Sequence, residues 1–181
     1  MKILVAYASA QGSTKEIAER IATRIRSSVG EAVCQPVDNI EQVNGYDAVV
    51  IGSAIHNGKW LPEASDFIHR DSEALVKQPL WAFSVGMADA FPRLFRKRAA
   101  ALEETQMADA ISHDIIPKSH KLFSGVLQAE TAPAMLRVIL RVFGGRLGDL
   151  RDWSAIDGWA DEIALQLQGS TSSALNSDVP S

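Results

Sequence analysis

Short apolar runs alternate with amphipathic stretches along this chain. Lys2 to Tyr7 is a run of apolar and β-favouring residues, and the polar loop Ser9-Ala10-Gln11-Gly12-Ser13-Thr14 comes directly after it. Ile17, Ala18, Ile21, Ala22 and Ile25 then recur at helical spacing, with Lys15, Glu19, Arg20 and Arg24 on other faces. Gly30 closes this unit. Ala32 to Val37 reads as a second strand, towards a sheet edge because Pro36 has no N–H for a ladder. The pattern repeats with Tyr46 to Ile51 as a third strand ending in Gly52-Ser53. Pro62 suits a first helical turn, and Phe67, Ile68 and Leu75 supply the apolar side of that helical stretch. Leu80 to Val85 is a fourth, buried strand. Phe91, Leu94, Phe95 and Leu102 mark a helix with Pro92 at its start, and Leu122 to Leu127 is a fifth strand. Ile156, Trp159, Ala160, Ile163, Ala164 and Leu167 form one stripe of a final amphipathic helix. Residues 169–181 are serine-rich and lack a period, so a disordered tail is expected after a single domain spanning 1–168.

Strands alternating with helices predict right-handed crossovers and an α/β fold, with five strands in a mainly parallel sheet covered on both faces. Ligands in such sheets sit beyond the carboxyl ends of the strands, near the point where strand order reverses. The loops after Tyr7, Ile51 and Val85 are therefore the candidates for chemistry.

The first loop joins a buried strand to a helix N-terminus, where unpaired N–H groups and the positive end of the helix dipole favour a phosphate. Ser9, Ser13 and Thr14 add hydroxyl donors, and Gly12 permits positive φ or close approach. The competing reading is a capping box, since Ser13 and Glu16 stand three apart. It accounts for those two residues and leaves Ser9, Gly12 and Thr14 unexplained. The loop is neither G-x-G-x-x-G nor a P-loop ending in Gly-Lys-Ser/Thr.

At these residues the chain resembles the flavodoxin family, whose phosphate loop reads Thr/Ser-x-x-Gly-x-Thr after the first strand; Ser9, Gly12 and Thr14 occupy those places. The resemblance implies a flavodoxin-like three-layer sandwich and FMN as cofactor. Its phosphate would lie in the loop of Ser9, Ala10, Gln11, Gly12, Ser13 and Thr14. The loops after the third and fourth strands would flank the flavin ring. The first of these comes after Gly52 and contains Ser53, Ala54, Ile55, His56, Asn57, Gly58, Lys59 and Trp60. Its small residues let backbone amides approach a flat, polar-edged ring. Trp60 either stacks on that ring or packs at a helix start. His56 lies near the reactive edge or is a surface histidine. The second loop is Ser84, Val85, Gly86 and Met87, with Ala88 and Asp89 after it. Electron-carrier flavodoxins place an aromatic there, and this chain has none between Phe83 and Phe91. One ring face would then stay open to a substrate.

A more specific resemblance is to a flavodoxin-like subgroup, the menaquinone-dependent protoporphyrinogen oxidases. Besides the phosphate loop it rests on Val50-Ile51-Gly52-Ser53-Ala54-Ile55 with Gly58, Phe83-Ser84-Val85 and Phe123-Ser124-Gly125. Gly144-Gly145, Asp152-Trp153 and Trp159-Ala160 complete the series. It implies an FMN-dependent oxidoreductase of haem biosynthesis that passes electrons from a small reduced substrate, such as a porphyrinogen, to a quinone. A flavodoxin-type electron carrier, an NAD(P)H:quinone reductase and a flavin-free interaction module are the competing readings. No acid–base catalytic residue is identifiable.

Composition narrows the classes further. The chain has 181 residues, 46% hydrophobic and 22% charged, which suits one globular domain and argues against wholesale disorder. A lone Cys34 excludes an internal disulfide or a multi-cysteine metal site, and it reads as a packed residue. His113 and His120 lack a convincing third metal ligand. The 22 acidic residues against 18 basic disfavour nucleic acid as a partner. No apolar run approaches the roughly 20 residues of a membrane span, and the apolar start is too short for a signal peptide. A cytoplasmic protein is expected. Charge is nonetheless uneven: Phe91 to Arg151 carries ten basic and six acidic residues, net +4, which leaves −8 on the remainder. A basic half could attract carboxylates, anionic lipid or an acidic partner. Residues 134–143 combine a wide apolar surface with Arg137 and Arg141 on one side. They could lie peripherally at the inner face of a membrane, pack on the domain, or join a second subunit in a homo-oligomer.

Overall fold

Lys2–Ala8 (β1), whose Ile3, Leu4, Val5 and Tyr7 suit a strand, is paired on both sides and covered by packed side chains on both faces, so Ile3, Leu4, Val5 and Ala6 are all fully buried. This computed structural model describes residues 1–87, 115–127 and 148–176, with side chains to Gly169. Along it come α1 (Ser13–Val29), β2 (Glu31–Pro36), a 3-10 turn at Val37–Asn39, β3 (Ala48–His56) and β4 (Lys59–Trp60). Then come α2 (Pro62–Arg70), α3 (Ser72–Leu75), β5 (Leu80–Gly86), β6 (His120–Ser124), β7 (Val126–Leu127), β8 (Gly148–Asp149) and α4 (Trp153–Asn176). The main sheet has the order β2-β1-β3-β5-β6, every neighbour on this path being parallel. It is the expected flavodoxin-like α/β sandwich, with β4 added antiparallel to β3 as a sixth strand. The direction of strand addition reverses at β1, so the crevice for a ligand lies at its carboxyl end between β1 and β3.

Three boundaries differ from the sequence expectation. The third strand continues five residues past Ile51, because β1 and β5 run alongside it and keep its backbone paired as far as Ala8↔Ser53 and Ala54↔Val85. Residues 52–56, expected in a loop, are therefore strand. Gly52 fits there because Phe83 occupies its side-chain space: a Cβ would lie 2.0 Å from Phe83 Cζ. The fifth strand breaks at Gly125, and Val126–Leu127 pairs antiparallel with Gly148–Asp149 in a separate ribbon. The last helix runs to Asn176 where a disordered tail was expected from 169. No proline interrupts its backbone ladder within that span. The expected helix at Phe91–Leu102 with Pro92, Asp89, His113, most of the basic segment and the 134–143 stretch lie outside the described residues.

Each face of the sheet has its own core. On one, Ile17, Ile21 and Ile25 of α1 and Ile156, Trp159 and Ile163 of α4 cover Ile3, Val5, Val50, Trp81 and Phe83. Phe83, Phe123 and Trp159 meet there with ring centroids 5.7–6.1 Å apart in tilted and edge-on contacts. Arg20–Asp157 and Arg24–Asp161 ion pairs join the exposed sides of α1 and α4. On the other face Phe67, Ile68, Leu75 and Trp60 cover Leu4, Ala6, Val49, Ile51 and Ala82. Among the described residues no helix is long and apolar enough to cross a membrane.

Candidate functional site

The loop after β1 is shaped by its own backbone bonds. Gly12 takes φ +91°, a left-handed conformation that a side chain would strain, and its N–H donates to Ser9 Oγ at 3.0 Å. The helix opens at Ser13 with Gly12 as its N-cap and no side-chain cap, so the capping-box alternative is not realised. Glu16 instead donates its N–H to the Gly12 carbonyl at 3.0 Å and turns its carboxylate to Arg151 Nη1 at 2.5 Å. Helix N-terminal N–H groups have no intrahelical acceptor and favour an anion. Thr14 supplies a further observation: its side chain is fully buried and Oγ1 has no hydrogen-bond partner among the described residues. A buried hydroxyl left without an acceptor costs about 1–3 kcal/mol. A phosphate in this loop would provide one, so the residues present fit FMN.

Four strand ends enclose a cavity of about 320 Å³ beside this loop. Ala10, Gln11 and Ser13 form one wall, Ala54, Ile55, His56 and Asn57 the second, Val85, Gly86 and Met87 the third, and Gly125, Val126 and Leu127 the fourth. That size lies in the range of small-molecule sites. The second wall is a β3–β4 hairpin whose two turn residues both take positive φ, Asn57 at 49° and Gly58 at 76°, as a type I′ turn requires. The fourth wall touches the first, since a Cβ at Gly125 would stand 3.1 Å from Ser13 Oγ.

Other candidates take structural roles. Ser53 is buried and its Oγ accepts the Leu61 N–H at 3.0 Å, fixing the entry to α2. Trp60 is 4% exposed and packs in the core under α2. Its indole N–H donates to Ser84 Oγ at 2.7 Å, and Ser84 Oγ lies 3.0 Å from His120 Nε2. The Ser84 proton is then directed at a neutral His120 nitrogen, an assignment made from the network. Burial pushes His120 down to about 4, in agreement with the neutral ring. Lys59 is exposed on the hairpin, and Gly58 serves the turn. Ser9, Gly12 and Thr14 shape the loop behind the cavity wall. Cys34 packs against the core, and burial pushes its thiol up to about 11.

Sequence reasoning missed the fourth wall. Gly125 inside an apolar run is a signal for a strand break and marked the place. The Asn57-Gly58 pair likewise announces a two-residue hairpin.

The chain is similar to known proteins. The family model described as "Flavodoxin domain" matches residues 4–145. A protoporphyrinogen IX dehydrogenase [quinone] from Escherichia coli strain K12 is 25% identical over 175 residues, which is 91% of this chain and 95% of that protein. Among solved structures, the Streptococcus pneumoniae TIGR4 flavodoxin superposes with TM-score 0.53 at 15% identity, covering 92% of this chain and 99% of that one. The rubredoxin oxygen:oxidoreductase of Desulfovibrio gigas superposes with TM-score 0.53 at 15% identity, covering 93% of this chain and 36% of that one. These two likenesses bear on the fold alone. With a family match over most of its length and the strand order to agree with it, the chain belongs to the flavodoxin-domain family.

Proposed function

We propose that this protein is an FMN-dependent oxidoreductase that passes electrons from a reduced small molecule to a quinone, a porphyrinogen being the leading candidate substrate. The observation that carries this reading is the cavity at the strand ends, whose lining among the described residues includes no aromatic side chain other than the imidazole of His56. None of these four walls would stack a Phe, Tyr or Trp ring on a flavin bound there. The Escherichia coli relative, a protoporphyrinogen IX dehydrogenase [quinone] by name, supports the choice of substrate and acceptor.

When bound, FMN would supply the reversible two-electron chemistry that side chains lack. The chain's own residues bind and orient. The N–H groups at the start of α1 and the Ser13 and Thr14 hydroxyls would hold the phosphate. Backbone at Asn57 and Gly86 would meet the polar edge of the ring. Ile55, Met87, Val126 and Leu127 would exclude water from its apolar edge.

Purified protein given FMN and then desalted is expected to retain a perturbed flavin spectrum. The loaded protein, kept anaerobic with protoporphyrinogen IX and menadione, should form fluorescent protoporphyrin. No turnover with any quinone would remove the substrate assignment. Rapid bleaching by NADPH would redirect it to an NAD(P)H:quinone reductase.

A further inference from the structure

Arg151 lies just after the β7–β8 ribbon and is 135 residues from Glu16, yet the two side chains meet at 2.5 Å. Its side chain is only 10% exposed whereas that of Glu16 is 56% exposed, so the arginine is held and the glutamate is not. Two further bonds, Nε to Asp149 Oδ1 at 2.9 Å and Nη2 to Asp149 Oδ2 at 2.7 Å, fix its plane. Trp153 stacks beneath it, with Cζ 4.6 Å from the ring centroid. The preceding residue is tied to the cavity, since Leu150 N–H donates to the Gly125 carbonyl at 3.2 Å. Arg151 therefore sits on a rigid mount between the fourth wall and the first turn of α1.

Glu16 is the acidic residue of that first turn. Such a residue suits an empty helix terminus, because it complements the dipole. A phosphate bound at the same terminus reverses the sign, since two like charges then share one site. The nearby lysine does not relieve this: Lys15 pairs with Glu19. Arg151 is the cation placed on Glu16.

We propose that Arg151 is a positioning residue for the phosphate of the cofactor, acting through Glu16 by drawing its carboxylate onto a fixed guanidinium, shared with Asp149, and so offsetting part of its charge. The proposal rests on the FMN reading and adds a determinant of ligand choice: the chain discriminates FMN from riboflavin partly through a residue that need not touch either.

The test measures dissociation constants for FMN and riboflavin by flavin fluorescence quenching. Riboflavin lacks the phosphate and serves as the internal control for fold and ring binding. Arg151→Gln should weaken FMN by about three- to tenfold at low salt while leaving riboflavin unchanged, and added salt should shrink the difference. Arg151→Lys keeps a cation opposite Glu16 and should hold the FMN-to-riboflavin ratio near that of the parent. Glu16→Gln in the parent should bind FMN at least as tightly, and the Arg151→Gln/Glu16→Gln double variant should return to within about twofold of Glu16→Gln. Equal weakening of both flavins, or no rescue in the double variant, would overturn the proposal and leave Arg151 a structural clamp. A parent protein that binds both flavins, with Arg151→Gln unchanged, overturns it while sparing the FMN reading. A parent that binds neither removes the FMN reading and this proposal together.

Discussion

The two faces of the sheet solve burial differently. Under α1 and α4 the interior is hydrocarbon and aromatic, and polar bonds lie at its margin: Trp159 Nε1–H to Ser119 Oγ and Trp81 Nε1–H to Gln166 Oε1, both 3.1 Å and part-buried. Under α2 a polar chain, Trp60–Ser84–His120, runs through the packing itself. The apolar face depends on shape, so it is sensitive to volume and indifferent to pH. The other depends on every member of a network being paired, so it is sensitive to single polar deletions and to protonation. Both faces end at the same cavity, and each supplies part of its wall.

The largest effect is expected on the aromatic face. Trp159→Ala should cost about 3–5 kcal/mol in denaturant unfolding, because Phe83 and Phe123 lose a shared partner and cannot close the gap. Gly52→Ala comes next, at about 2–3 kcal/mol, since the new methyl meets the Phe83 ring and that ring is itself hemmed in. Combining it with Phe83→Leu should cost less than the sum of the two single changes, and strict additivity would show that the clash is relieved elsewhere.

On the polar face Ser84→Ala should cost about 1–3 kcal/mol, by stranding the Trp60 N–H beside His120. An unchanged midpoint would mean that water replaces the hydroxyl. The same face should carry the acid sensitivity. His120 is neutral in the fold down to about pH 4, whereas an unfolded chain takes up its proton near 6.5. Stability is therefore unaffected above pH 6.5 and falls as the pH drops from 6.5 to 4, by about 1–2 kcal/mol once partial solvent access is discounted. His120→Gln should flatten the stability profile across that window; an identical slope would assign it to other groups. The smallest effect belongs to the exposed stitching of α1 to α4. Arg24→Ala is expected to leave the denaturation midpoint nearly unchanged, with any shift shrinking further at high salt.

The range of the forces involved explains which parts were legible. The five parallel strands, the α1 and α4 stripes and the glycine-bearing loop after β1 are local patterns, read from residue spacing within a few turns or one strand. The end of β3 was not legible, because Gly52 and Ser53 look like a loop until β1 and β5 lie alongside them. The role of Trp60 was undecided for a similar reason: an indole near a ring site and an indole under α2 have the same sequence.

By itself the sequence determined the alternation of strands and helices, the crevice at the end of β1 and the glycine turn that opens α1. These depend on backbone propensity, side-chain period and residue type, which neighbours in the chain already specify. Only the tertiary structure decided that Gly125, Val126 and Leu127 form the fourth wall, that Ser84 joins Trp60 to His120, and that Arg151 holds Glu16. Each of these joins residues from separate elements, and the pairing of distant groups is set by how the layers pack.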